Sequence, residues 1–257
     1  MIQLLKIFFI FFLATYVQAE LRTFEKGLSY YNERGKKAIG LAIDPFFIDS
    51  AIKIFSEVSY QKEDALESKI FLLKCYYFKG KFGLNNKEEK KKIFSKGKVL
   101  GEKLIQDFPE SAGANHWYLV NLGSWAEQYG LIAAAREGTA DLMLKYSTRI
   151  IKLDPVYANG GGYFLLGAVH FKAPRIPFIL SWPDNNEAVK YLTLACEKGA
   201  PTPPQIVYLA RSLYKKGEKN KAKELLNKLL LEEISNSFLI EDLEQHQIAM
   251  NLLKKWT

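Results

Sequence analysis

Lys219 to Leu231 reads KNKAKELLNKLLL, and Asn186 to Glu197 reads NEAVKYLTLACE. Ala222, Leu225, Leu226, Leu229 and Leu230 recur at spacings of three and four, so they share one helix face. Ala188, Tyr191, Leu192 and Ala195 do the same in the other stretch. The two faces are in register. Ala188 and Ala222 are 34 residues apart, as are Tyr191 and Leu225, and Leu192 and Leu226. Two antiparallel helices approach closely only where small side chains leave room, and a large side chain then fills the groove beside them.

The same register recurs upstream. Ala51, Phe55 and Val58 fit it, as do Gly97, Gly101 and Leu104, and Met143, Ser147 and Ile150. Pro109 and Pro155 each fall twelve residues after the small or apolar position that opens the face. Proline ends a helix there because it has no N–H for the next bond. Partner helices also read out: Ile70, Leu73 and Tyr77; Leu119, Leu122, Gly123 and Ala126; Tyr163, Leu166, Gly167 and His170; and Ile206, Leu209, Ala210 and Leu213. A 34-residue period in paired helices is the tetratricopeptide spacing. We therefore expect an all-α, right-handed α-solenoid of about five tetratricopeptide-like helix pairs over residues 20–257. The pairs fall in 22–60, 61–109, 110–155, 156–200 and 201–233, and a helix over 238–255 caps the array, since an open array otherwise exposes its last apolar face. Insertions are expected between the paired helices at 80–92, 127–138 and 174–185.

Met1 to Ala19 reads MIQLLKIFFIFFLATYVQA. Lys6 precedes an apolar run, and Val17-Gln18-Ala19 is a small-x-small box, the layout of a cleavable secretory signal. The alternative is a retained anchor, but the apolar stretch is shorter than the roughly 20 residues a bilayer needs. Cleavage after Ala19 places the chain in a periplasmic or secreted compartment, with no stable membrane span left. No cysteine follows the box, so the acceptor of a lipoprotein is missing.

The 257 residues are 48% hydrophobic and 25% charged, enough for a packed core. Two cysteines, Cys75 and Cys196, exclude a disulfide-rich scaffold or a four-cysteine zinc site. Each reads as a buried free thiol, although an oxidising compartment would permit them to pair. A net charge of +8 raises nucleic acid and acidic surfaces as partners. The charge is spread, no nucleic-acid motif accompanies it, and an export signal argues against nucleic acid.

His116, His170 and His246 form no HExxH pair. Gly160-Gly161-Gly162 lacks the lysine of a phosphate loop and reads as a tight turn between helices. Glu241-Asp242 reads as a solvated turn. No catalytic residue, metal or cofactor is expected; an enzyme would require a polar constellation brought together across repeats, with His116, His170 and Asp184 the best-placed residues for it. Trp117, Asn121 and Trp125 lie at i, i+4 and i+8, one stripe of a helix. That stripe is either core or an aromatic wall with Asn121 as its polar handle. Tyr163, Trp182 and Asp184 complete the candidate ligand or partner contacts.

Ala114 to Ala126 (ANHWYLVNLGSWA), Leu153 to Ala168 (LDPVYANGGGYFLLGA), Lys172 to Pro174 (KAP) and Asp184 to Leu192 (DNNEAVKYL) follow one another. This order resembles the tetratricopeptide T-component found alongside periplasmic TRAP-type solute transporters, over roughly residues 110 to 232. The regulator-of-microtubule-dynamics family has a related layout in its closing repeats. The resemblance implies a periplasmic, all-helical, non-enzymatic accessory of solute uptake. Its partner would be a periplasmic solute-binding protein or a small apolar ligand, and self-association around a pore-like opening is implied as well. The chain departs from the family in lacking the lipidation cysteine and in the longer, more apolar 174–185 insertion. The alternative from the repeats alone is a general cell-envelope interaction or assembly scaffold.

Overall fold

The computed structural model describes residues 24–58, 65–176, 178 and 180–256. The expected signal segment lies outside them. Residues 24–32 form α1, followed by α2 (Pro45–Glu57), α3 (Ala65–Phe78), α4 (Lys87–Asp107), α5 (Ala112–Tyr129) and the short α6 (Leu131–Arg136). Then come α7 (Thr139–Leu153), α8 (Tyr157–Lys172), α9 (Asn185–Glu197), α10 (Pro203–Lys216), α11 (Lys219–Leu229) and α12 (Leu239–Trp256).

The helix starts follow local chemistry. Asp44, Asn86, Ser111 and Asp184 each turn a side-chain oxygen onto backbone N–H groups of the first turn of α2, α4, α5 and α9. Thr202 and Gln205 form a reciprocal capping box on α10, with Pro203 in its first turn. Gly217, at φ 99°, ends the same helix in the left-handed conformation that glycine adopts without strain.

Helices pack in the order α2 on α3, α3 on α4, α4 on α5, α5 on α7, α7 on α8, α8 on α9, α9 on α10 and α10 on α11. The first helices of successive pairs also touch: α3 with α5, α5 with α8, and α8 with α10. That is a solenoid of helix pairs. The register expected from the sequence holds at its contact positions, because Ala51, Ala188, Leu192, Ala222 and Leu226 are all fully buried. Gly167 shows why the space is needed: a Cβ there would lie 2.6 Å from Leu192 Cγ. Within the first turn of α8, Ala158, Asn159 and Gly160 are all left-handed and kink the helix. A Cβ on Gly160 would meet the Ala195 carbonyl oxygen at 2.8 Å, so the glycines serve the tight turn expected of them.

Three features differ from the sequence reading. The charged run in 80–92 is only partly an insertion: Lys79–Gly83 is a π-helical turn and α4 already begins at Lys87. The 127–138 segment extends α5 to Tyr129 and adds α6. The third difference is the capping helix, which reaches further than a cap. Its C-terminal half packs on α10 and α11, with Trp256 stacked on Tyr214 at 4.0 Å. Its N-terminal half belongs to the first pairs. Ile240 sits in one apolar cluster with Ile48, Phe55, Leu72, Cys75 and Phe78. Arg34, 3% exposed, donates from Nε and Nη2 to Glu241 Oε1 at 2.9 and 2.7 Å. Lys81 pairs with Glu244 at 2.5 Å. Helix α12 therefore clasps the two ends of the array together. This corrects the expectation for Glu241-Asp242. Glu241 is engaged by a buried arginine, and Asp242 is itself buried, accepts from Ser235 N–H at 3.3 Å, and has its carboxyl pushed up by desolvation.

Candidate functional site

Side chains from the first helices of successive pairs converge into an aromatic wall. Phe71, Lys74 and Tyr77 come from α3, His116 and Trp117 from α5, and Tyr157 from the start of α8. Tyr77 and Trp117 lie 6.1 Å apart between ring centroids, and His116 meets Trp117 and Tyr157 edge-on, at 5.4 Å each. The Lys74 ammonium sits 3.8 Å from the Phe71 ring centroid and 5.7 Å from that of Trp117. These are cation–π distances.

The wall is dry enough to shift its titrating groups. Burial, with a smaller push from the Lys74 charge, lowers the His116 imidazole to about 4. Burial lowers the Lys74 ammonium and raises the Tyr157 phenol to about 12. Further along, α8 and α10 continue the pattern. Tyr208 meets Phe164 at 5.4 Å and Phe171 at 6.0 Å, and the Arg211 guanidinium lies 4.9 Å from the Phe171 centroid and 5.5 Å from that of Tyr208. Flat apolar faces edged by cations can hold an apolar body and its polar end together.

The sequence-derived candidates separate into groups. Trp117 is half-buried in this wall. Asn121 is not a groove handle. It is fully buried, donates from Nδ2 to the Leu73 and Trp117 carbonyls at 3.1 and 2.9 Å, and lies so close to Gly97 that a Cβ there would fall 2.1 Å from its Oδ1. Trp125 is also in the core, stacked on Tyr129 at 4.7 Å with the Lys98 ammonium 5.2 Å from its ring centroid. The i, i+4, i+8 stripe thus runs from the wall into the contact with α4, because a straight stripe on α5 crosses the line where α3 and α4 meet it.

Tyr163 is half-buried, with the Lys198 ammonium 5.9 Å from its ring centroid. Trp182 donates from its indole N–H to Asp141 Oδ1 at 2.9 Å and lies edge-on to His170 at 4.9 Å. The Asp184 carboxylate accepts from the Asn186 and Glu187 N–H groups at 2.7 and 3.3 Å, and those bonds hold it below the usual carboxylate range.

The constellation considered for catalysis does not assemble. His116 packs against Gly161, and His170 lies nine residues further along α8, about 13 Å by helix rise. His170 Nδ1 accepts from the Asp184 backbone N–H at 3.2 Å, which leaves that nitrogen no free lone pair for base chemistry. Among the described residues no group of three or more His, Cys, Asp or Glu could hold a metal ion. Cys75 and Cys196 are both unpaired, and burial pushes both thiols up, Cys196 to about 11.

Sequence reasoning missed Lys74, Tyr208 and Arg211 as wall residues and read Tyr77 only as a helix contact. The available signal was an aromatic or cationic residue on the first helix of each pair, at positions the small-residue register leaves free.

No protein-family model and no curated protein matches the chain. Among solved structures, it is similar to the crystal structure of a thermophilic TPR (tetratricopeptide-repeat) protein from Thermus thermophilus. The two share 14% identity over 82% of this chain and 91% of that one, with a TM-score of 0.55. At that identity the likeness concerns the fold. The chain is an all-α, right-handed solenoid of tetratricopeptide-like helix pairs.

Proposed function

We propose that this chain is an exported, non-enzymatic helical-repeat scaffold that acts by binding, as an accessory component of solute uptake. The observation that carries the binding reading is the wall of Lys74, Tyr77 and Trp117. It presents aromatic faces and an ammonium that forms no ion pair with a carboxylate among the described residues. Its occupant is a small apolar ligand or a segment of a partner such as a periplasmic solute-binding protein. Trp117 and Tyr163 are the contacts along the groove, and Trp182 is the contact from the insertion. The apolar Met1–Ala19 segment supports export, and the resemblance of residues 110 to 232 to TRAP-type T-components supports the uptake role.

A second reading, a general cell-envelope interaction scaffold, is favoured by the likeness of the whole array to a tetratricopeptide-repeat protein. Native mass spectrometry of the protein from the exported fraction distinguishes the two. A small-molecule adduct on wild type that is lost from a folded Trp117→Ala variant is the expected result. Bare protein that co-purifies only with other polypeptides would replace the ligand reading with the scaffold reading. Absence of the chain from the exported fraction would overturn both.

A further inference from the structure

We infer that the rim carrying the 131–136 and 174–184 insertions docks onto an anionic lipid bilayer. The two insertions follow α5 and α8, and the ends of those helices are tied by the Lys172–Glu127 ion pair. Trp182 ties the second insertion to α7, which follows the first, through Asp141. The two tips are therefore neighbours.

Each tip offers large apolar side chains to solvent. Leu131 and Ile132 on α6 are 58% and 72% exposed, and Phe178 is fully exposed. Ile176 and Leu180 pair in an antiparallel bridge, with reciprocal N–H to carbonyl bonds of 2.8 Å, and so hold Phe178 at the end of a tight turn. Its φ is 66°, a left-handed conformation that bulky residues rarely adopt.

Each tip also carries an exposed arginine. Arg136 and Arg175 are exposed and form no ion pair with a carboxylate among the described residues. Of the carboxylates nearest in sequence, Glu127 pairs with Lys172 and Glu137 with Lys98, Asp141 accepts from the Trp182 indole, and Asp184 caps α9 within the field of Arg175. A few protruding apolar side chains flanked by exposed arginines match the boundary of an anionic bilayer, where the apolar tips enter the acyl region and the guanidinium groups meet headgroup phosphates. The whole chain, at +8, is attracted in the same direction.

The test is sedimentation of the full chain with vesicles of phosphatidylcholine alone or mixed with phosphatidylglycerol. Phe178→Ser, Ile132→Ser and the Arg136→Ser, Arg175→Ser pair are compared with wild type. All four residues are exposed, and circular dichroism confirms that the variants fold. Wild type should bind the mixed vesicles more tightly than the neutral ones and lose that preference as salt rises. The arginine pair should weaken binding about fivefold per residue, and Phe178→Ser on the order of tenfold.

Variants that bind like wild type would overturn the proposal. So would binding that is equal on both vesicles and insensitive to salt, since the apolar first 19 residues would then be responsible. A dimer in solution that Phe178→Ser dissociates would overturn it in favour of self-association. None of these outcomes bears on the concave wall, so this proposal and the one above fail separately.

Discussion

Glu241→Gln should destabilise the whole array although it removes only a charge. Arg34 is 3% exposed, and its guanidinium divides its donors among Glu241 Oε1, the Tyr31 carbonyl at 3.1 Å and the Ser237 carbonyl at 2.8 Å. It also lies 4.4 Å from the Tyr31 ring centroid and 5.2 Å from that of Phe78. The substitution leaves this cation buried among aromatic rings with neutral oxygen dipoles and no carboxylate bonded to it.

Removing one member of a buried pair costs about 3–5 kcal/mol. The Glu241 side chain is 24% exposed, and a glutamine oxygen can still accept from Nε, so the expected loss is nearer to about 2 kcal/mol. In urea, followed by far-UV circular dichroism, that lowers the midpoint by roughly 1 M. Arg34→Met removes the cation together with its hydrogen bonds. The double variant should therefore lose less than the two single losses added, by about 1–2 kcal/mol. Hydrogen exchange in α12 should quicken in Glu241→Gln. A loss under about 0.5 kcal/mol, with no coupling to Arg34, would show that the clasp is an ordinary solvated ion pair and would refute the closed-array reasoning.

Two further outcomes follow from the packing. Gly97→Ala would set a Cβ 2.1 Å from Asn121 Oδ1, where that amide is fixed by bonds to two carbonyls; overpacking should cost about 1–3 kcal/mol, read by thermal or urea denaturation. The buried His116 imidazole is held at about 4, below its ordinary value of 6.5, so the unfolded chain takes up a proton first as pH falls. Its stabilising contribution is complete above about pH 6.5 and is lost on the way down to about pH 4, up to about 3 kcal/mol, and a folded His116→Phe variant should show a shallower acid slope in the same window.

The helix pairs were legible because their cause is local and periodic. Ala188 and Ala222 must be small where two helices cross, and the 34-residue spacing repeats that demand in plain view. Asp184 and Ser111 announce helix starts for the same reason. Asn121 was ambiguous because a polar residue inside an aromatic stripe reads equally as a handle or as a core group bonded to carbonyls, and only the position of Gly97 decides. The clasp was illegible. Arg34 and Glu241 look like any two surface charges when 207 residues separate them, and a contact made once leaves no period. The wall fell between these cases. Lys74 and Tyr208 sit on the periodic helices, but at positions where the period imposes no residue type, and Tyr77 reads there only as a helix contact.

The clasp also sets an order of events as the chain is synthesised. Each helix pair can dock on its predecessor soon after it leaves the ribosome, so most of the array can assemble while growing. The first pair is the exception: its apolar cluster lacks Ile240, and its buried arginine lacks Glu241, until the last helix emerges. The oldest part of the nascent chain is thus the last to be completed. Bringing ends so distant together adds little to the entropy cost, because that cost grows only logarithmically with length. A nascent chain arrested after α11 would carry its defect at the opposite end of the sequence from the missing helix. Proteases and chaperones would find it in the first repeats.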